Sequence, residues 1–370
     1  MSFMGFSWRI TAAFLLVAAI AGCANLPYYL QSVRGQLDIW ARQKDIETII
    51  ANPDTAAALR EKLRAVLAVR EFASAELALP RNASYRSYAN LERPYVVWNV
   101  FATPEFSLRP RQWCFMFAGC VNYRGYFGKA DADAFAAEVL SQSYDVFVGG
   151  VPAYSLLGYF PDPVLNTFVN YPTPHLARLI FHELAHQVVY VRDDSVFNES
   201  FAVTVEQEGS RRWLERYGTD QDRLHYDQIT RRRNDFLRLI ETYRGHLETL
   251  YSTPLPTDVM RARKAEVFGE LVAEYRKLKE RWGGFAGYDH WFAREPNNAL
   301  IASVGLYSKR VPAFQALLAR EEGDMERFYA AAKALARMSK PERTAALENL
   351  MPRTAAAENL APGIALPTAH

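Results

Sequence analysis

Hydrophobic residues recur at intervals of three and four along most of this chain, the spacing that places them on one face of a helix. The first two segments with this spacing, at residues 28–50 and 54–78, predict that the chain begins with helices. The same period dominates after Phe181. The helices predicted there cover residues 182–190, 196–217, 222–251, 257–281 and 311–335.

Between the helical parts, segments rich in aromatic and β-branched residues predict strands at residues 95–102, 115–127 and 144–150, with a helix at 131–141. Five prolines between Val151 and Pro174 predict an ordered loop, where binding groups often collect. We therefore expect an α+β fold, mostly α, with a small mixed sheet and a large C-terminal helical region.

The overall charge excludes one class of partner. The 370 residues are half apolar, enough for a sizeable core, and 43 Lys and Arg face 41 Asp and Glu. A formal charge of +2 provides no field that would attract nucleic acid. We accordingly expect the three consecutive arginines at 231–233 to lie on a solvated helix face.

The first residues are typical of a signal peptide. Arg9 precedes twelve residues, 10–21, whose only polar member is Thr11, a stretch too short to span a bilayer. The following Ile20-Ala21-Gly22-Cys23 resembles a bacterial lipobox, which would make Cys23 an acylated N-terminus. A plain secretory signal with an incidental cysteine is the alternative.

Two cysteines remain after Cys23, and they lie six positions apart. In an oxidising periplasm, Cys114 and Cys120 are expected to form a small disulfide loop. Two free buried thiols are the alternative, and a metal site is disfavoured because no histidine lies nearby.

A His-Glu-x-x-His motif carries the candidate chemistry. Thr173 is a suitable N-cap and Pro174 suits the first helical position, so His182 and His186 should lie on one helix. Four residues make about one turn, which lets both imidazoles reach a single ion. The motif therefore predicts one Zn²⁺ ion, and two core histidines are the alternative.

A catalytic zinc needs a third protein ligand and an open position for water. Glu199, in the first turn of the next helix, is the expected ligand, although a surface acid is the alternative. Glu206, two turns further on, is the rival ligand or supports a histidine, and Asn198 is a second supporting residue.

The residue after the first histidine, Glu183, is then the general base that takes a proton from the attacking water. The strand at 146–150 is the candidate support for a peptide backbone. The candidate oxyanion donors are Tyr154, Tyr159 and Tyr307, followed by His290 and Arg178.

With His-Glu-x-x-His on one helix and Asn-Glu-x-x-Ala at 198–202 on the next, the chain resembles gluzincin zinc metallopeptidases. Residues 123–127, 153–160, 182–187 and 198–202 together resemble a bacterial family of predicted aminopeptidases, usually lipoproteins. The resemblance covers most of residues 26–340 and implies a zincin-like core. It also implies His182, His186 and Glu199 as ligands and Glu183 as base. The twelve-residue step between the motifs is shorter than is typical of gluzincins. This difference concerns the identity of the third ligand and not the metal.

The sequence thus predicts a zinc peptidase that faces the periplasm of a Gram-negative bacterium and acts on peptide substrates. Ala24 is not acidic, so outer-membrane anchoring is favoured over inner. A non-catalytic envelope lipoprotein and an amidase of cell-wall material are the alternatives. The expected divisions are a signal peptide at 1–22, a lipidated helical segment at 23–94, a catalytic core at 95–220, helices at 221–350 and a disordered tail at 351–370.

Overall fold

The structure is a computed structural model that describes residues 26–115, 119–153, 155–156, 158–293, 295–304 and 310–351. Within these ranges helices predominate and the strands form small sheets, so the α+β, mostly α class is confirmed. The expected leader, Cys23 and residues 352–370 lie outside the described residues. Among the described helices, none combines the length and apolar content needed to cross a bilayer.

The N-terminal part is helical, with an interruption. Residues 26–42 form α1, followed by strand β1 (Lys44–Asp45), α2 (Ile46–Ala51) and α3 (Ala57–Glu76). The continuous helix predicted at 28–50 is wrong because the Asp45 carboxylate accepts a hydrogen bond from the Thr48 amide at 3.0 Å and starts a new helix.

The longest strands form an antiparallel sheet in the order β6 (Arg124–Tyr126), β3 (Val97–Pro104), β7 (Tyr144–Val151). Helix α4 (Lys129–Leu140) packs on this sheet, with Ala132 and Val139 buried. The expected mixed sheet is a separate, smaller one, in which β2 (Ser87–Ala89) pairs antiparallel to β1 and parallel to β8 (Val164–Leu165). A further hairpin joins β4 (Trp113–Phe115) to β5 (Gly119–Val121).

Two neighbouring helices, α5 (Thr173–His186) and α6 (Ser195–Tyr217), form the centre of the fold. The expected Thr173 cap is wrong, since Pro172 is the N-cap and Thr173 is already helical. Helix α5 also ends at His186 rather than Tyr190. The Asn198 side chain bonds both the amide and the carbonyl of Val191 at 2.7 Å, which holds the following residues in a turn.

The C-terminal part is helical as expected, with different boundaries. Its elements are α7 (Asp220–Ser252), α8 (Thr257–Arg281), a 3-10 turn (Asp289–Trp291), α9 (Asn298–Val304), α10 (Val311–Arg320), α11 (Met325–Arg337) and α12 (Lys340–Leu350). The single helix predicted at 311–335 is wrong because the chain turns at Glu322 and Gly323, both with positive φ. Asp324 then caps α11 through the Arg327 amide at 2.9 Å.

One large apolar core holds the metal-motif helix in place. Side chains from α2, α3, α5, α6 and α10–α12 join in it, and α5 is buried along nearly its whole length. A second cluster beneath α7, α8 and α9 reaches the sheet through Phe147. The histidine motif is therefore anchored in packed core, with the sheet facing it across a cavity.

Candidate metal centre

The two histidines of α5 point to the same place. His182 and His186 are one helical turn apart, and their ring centroids lie 4.8 Å from each other. Both are buried, with 4% and 8% of their surface exposed. Their Nε2 atoms approach to 3.2 Å, so the arrangement expected from the four-residue spacing is present.

Helix α6 brings a carboxylate to the same point. Glu199 lies in its second turn, and its Oε2 atom is 3.3 Å from His182 Nε2 while Oε1 is 3.7 Å from His186 Nε2. His182, His186 and Glu199 therefore form a group that can hold a metal ion. Ligands about 2.1 Å from a tetrahedral zinc are separated by ~3.4 Å, so these spacings fit the ion.

Glu206 contacts His182 from the side away from the metal group and is not a member of that group. Its Oε2 accepts a hydrogen bond from His182 Nδ1 at 2.9 Å, which leaves Nε2 of that ring free for a ligand bond. Its Oε1 accepts from Arg178 Nε at 2.8 Å and lies 3.6 Å from Arg233 Nη1. The expectation that residues 231–233 are all solvated is wrong for Arg233, which is buried because Glu206 pairs with it.

The carboxylates give the centre a preference for positive charge. Burial by itself would lower the pKa of His182, but Glu199 and Glu206 outweigh burial and raise it to about 10. Burial lowers the pKa of His186 to about 4, so that ring stays neutral, as a metal ligand must be. A donor set that holds a cation between two imidazoles and a carboxylate fits a divalent metal.

The two buried acids on these helices, Glu183 and Glu206, have opposite pKa shifts. Burial raises the pKa of Glu183 to about 7, with His182 opposing the shift and Asp162 and Glu199 adding to it. Burial also acts on Glu206, but Arg178 and His182 outweigh it and lower the pKa to about 2. Glu183 is thus matched to proton exchange near neutral pH, while Glu206 stays ionised.

The centre opens into a cavity of about 1180 Å³. One wall carries His182, Glu183, His186 and Glu199. The opposite wall is the sheet, including residues 146–151 of β7, which pairs with β3 alone among the described strands. The strand expected to support a peptide backbone therefore lies along the same cavity as the metal group.

Of the expected oxyanion donors that the structure describes, one lines this cavity. His290 lines it, whereas Tyr159 lies on the surface with 83% of its area exposed. Arg178 is occupied with Glu206, which makes it a positioning residue. The predictions for Tyr154 and Tyr307 fall outside the described residues.

Two tyrosines that sequence reasoning did not select as donors line the cavity. Tyr123 lies between β5 and β6, and burial together with the carboxylates of Glu199 and Glu183 raises the pKa of its phenol. The Tyr190 ring is 6.4 Å from that of His186, and burial and Glu199 raise its pKa as well. The one signal for Tyr190 was its place one turn beyond His186 in the sequence.

The hairpin of β4 and β5 joins the cavity to the turn between α5 and α6. Cys114 and Cys120 are cross-strand partners joined by a disulfide bond. The Cys120 amide donates to the Asp193 carboxylate at 3.0 Å, and Lys340 donates to the Asp193 carbonyl at 2.9 Å. Asn198 supports the same turn through Val191.

Comparison with known proteins identifies a family. The model of a family described as "Putative aminopeptidase" matches residues 27–347, which is most of the chain. Neither the curated proteins nor the solved structures yielded a match. The matched range includes both helices of the metal group and the whole described cavity wall.

Proposed function

The chain belongs to the family described as "Putative aminopeptidase", and from that membership we propose that it is a gluzincin-like, zinc-dependent peptidase. The observation that carries the proposal is the convergence of His182, His186 and Glu199 at separations of 3.2 to 3.7 Å beside the buried acid Glu183. A zinc ion held there would supply a Lewis acid that polarises the scissile carbonyl and makes water acidic.

The chain's own groups then move the proton. Glu183 takes a proton from the attacking water while the water oxygen forms a bond to the carbonyl carbon. The same carboxyl passes the proton to the leaving nitrogen as the C–N bond breaks. Its pKa of about 7 suits both the uptake and the release of a proton at neutral pH.

The developing oxyanion needs a donor, and we assign Tyr123 to that role with Tyr190 as its neighbour. Both hydroxyls keep their protons because their pKa values are raised. A phenol that donates a hydrogen bond only as negative charge develops stabilises the transition state more than the substrate.

The direct test is digestion of a mixed peptide library by the purified protein, with products identified by mass spectrometry. We expect zinc-dependent cleavage that stops on chelation and returns when zinc is added. Stepwise loss of N-terminal residues would support an aminopeptidase, and internal cuts an endopeptidase. No cleavage by zinc-loaded protein would contradict the proposal and favour a non-catalytic envelope protein, and cleavage of cell-wall fragments alone would favour an amidase.

We also propose that the protein is anchored in the envelope of a Gram-negative bacterium, facing the periplasm, by acylation of Cys23. The apolar segment at 10–21 followed by Ile20-Ala21-Gly22-Cys23 supports this. Replacing the acylated thiol in Cys23→Ser should remove the protein from the outer-membrane fraction. Two results together would contradict the anchor. The Cys23→Ser variant would still fractionate with membranes, and the wild-type protein would carry no acyl group on Cys23.

A further inference from the structure

Helix α1 has an inner face that packs on the body of the protein. Ile39 is fully buried, and the Tyr28 ring stacks on Phe115 with centroids 5.0 Å apart. Gly35 touches the Phe127 ring so closely that a Cβ atom there would overlap it. Tyr28 and Ser32 also line the cavity, so this helix is part of its wall.

The outer face of α1 is apolar as well, and it is exposed. Its five large hydrophobic residues follow one another at steps of four, three, four and three, which places them in one stripe almost opposite the buried face. Between 37% and 55% of each side chain is exposed. They are Leu26, Leu30, Val33, Leu37 and Trp40.

A neighbouring loop extends this stripe at its far end. The Phe160 ring lies 5.0 Å from that of Trp40, and Phe160 itself is half exposed. Tyr159, the most exposed of the large side chains, adjoins it. We call the five residues of α1 together with Phe160 the α1 stripe. Along the helix it is about 21 Å long, because fourteen steps of 1.5 Å separate Leu26 from Trp40.

A periodic apolar stripe on an exposed helix face indicates a binding partner, because soluble proteins rarely expose a continuous apolar patch to water. Two observations favour a lipid bilayer as that partner. Cys23, the proposed acylation site, precedes Leu26 by three positions, so its acyl chains hold the start of the stripe within about 11 Å of the bilayer surface. Arg34 is exposed beside the stripe, where it can meet anionic headgroups.

The composition of the stripe agrees with that partner. Leucine and valine fill the end near Cys23, while Trp40 and Phe160 occupy the far end, with Tyr159 adjoining them. Tryptophan and tyrosine favour the headgroup region, where an apolar ring and a polar edge are both satisfied.

We infer that the α1 stripe lies flat in the headgroup region of the membrane to which Cys23 is anchored. A lipid tether alone leaves the protein free to rotate, whereas the stripe fixes its orientation. Because the inner face of the same helix lines the cavity, docking holds the cavity wall about one helix diameter, ~10 Å, from the bilayer. The inference rests on the proposed anchor and is independent of peptidase activity.

The test measures where Trp40 lies when the acylated mature chain is placed in vesicles of phosphatidylethanolamine and phosphatidylglycerol. Lipids brominated near the headgroup quench tryptophan on contact. We expect a quenched component in the wild type that disappears in Trp40→Phe. In the combined variant Leu30→Gln, Val33→Gln, Leu37→Gln, quenching should fall by about half or more, since the apolar face is lost.

A matched control uses apolar residues that are equally exposed on other helices. Tyr217→Gln with Leu224→Gln should leave the quenching unchanged, and Glu183→Gln should dock like wild type even if the peptidase proposal fails. All variants alter exposed or cavity-facing side chains, and circular dichroism verifies that each folds.

Three results would overturn the inference. One is unquenched Trp40 in acylated, membrane-bound protein. Another is equal quenching in the stripe variant and in wild type. The third is a dimer that disappears in the stripe variant while Trp40 stays unquenched, which would make a second copy the partner. If mass spectrometry finds no acyl group on Cys23, the anchor proposal fails, and the inference then requires the unacylated chain to bind these vesicles through the stripe alone.

Discussion

The two walls of the cavity are built by different physical means. Behind the surface of the helical wall, buried charges meet in pairs: Glu206 bonds His182 and Arg178, and Arg233 lies beside it. On the sheet wall, aromatic rings pack edge to face, as Tyr95 does on Trp98 with centroids 4.8 Å apart. In the proposed function, the first wall holds groups at fixed positions for chemistry, and the second offers a large apolar surface to a substrate.

Burying a charge costs desolvation free energy, so a cluster of buried charges behind the helical wall calls for a functional explanation. A buried ion pair is on average no more stabilising than packed apolar residues, while removing one partner leaves an unpaired charge. The paired groups here end on His182, one of the two imidazoles that face Glu199. We interpret the cluster as a device that orients His182, and substitutions on each wall should therefore have different consequences.

The largest effect is expected on the helical wall. Glu183→Gln keeps the shape of the side chain but cannot accept a proton, so kcat should fall by about 10³-fold. Zinc content and thermal stability should stay near wild type, since Glu183 is not among the ligands. Peptide-cleavage kinetics and metal analysis of the same preparation check both. The exposed acid Glu215, changed to Gln, is the control, and equal rates in both variants would remove Glu183 from the mechanism.

The next effect tests whether the sheet wall also takes part in the chemistry. Tyr123→Phe removes a single hydroxyl, and loss of an oxyanion donor should lower kcat by about 10²-fold with little change in KM. Tyr95→Phe, in the same cavity, should leave kcat unaltered. A Tyr190→Phe variant with the larger loss would assign the donor to the helical side instead.

A third effect concerns metal affinity rather than rate. Glu206→Gln leaves a hydrogen-bond acceptor for His182 but removes the charge that pairs with Arg178 and Arg233. Zinc affinity, measured by competition with a chromogenic chelator, should fall by about 10- to 100-fold. Glu208→Gln, which breaks surface pairs on the same helix, should not change it. Unchanged affinity in Glu206→Gln would mean that the cluster stabilises the fold alone.

The smallest effect on function is expected from the disulfide at the sheet wall. Replacing both Cys114 and Cys120 with Ser opens a short loop and should lower the free energy of unfolding by about 2 kcal/mol. Zinc content and kcat should stay at wild-type values, because neither cysteine belongs to the metal group. Chemical denaturation and steady-state kinetics measure the two quantities. Loss of zinc in this double variant would show that the hairpin supports Glu199 through Asp193.

The positions of the three residues of the metal group could be predicted from the sequence. His182 and His186 are linked by one helical turn, and Glu199 follows across a short turn, so local geometry places all three. Helix period also predicted the general positions of α3, α6 and α8. Short-range rules suffice where the interacting groups are neighbours along the chain.

Other features depend on contacts between distant segments. The Glu199 carboxylate helps to raise the pKa of Tyr123, which lies between β5 and β6, about fifty residues before α5. No periodic pattern in the sequence predicts that proximity. Arg233 is buried only because Glu206 of another helix pairs with it. Some helices begin at a single capping side chain, as at Asp45 and Asp324. A continuous apolar pattern in the sequence does not predict such a start.

The most direct test of the account is anomalous diffraction from crystals of zinc-saturated protein, measured at the zinc absorption edge. We expect one peak within about 2.0–2.2 Å of His182 Nε2, His186 Nε2 and a Glu199 oxygen. Glu206 should contact His182 Nδ1 and not the metal. Absence of a peak at that point, or a peak held by Glu206 in place of Glu199, would contradict it.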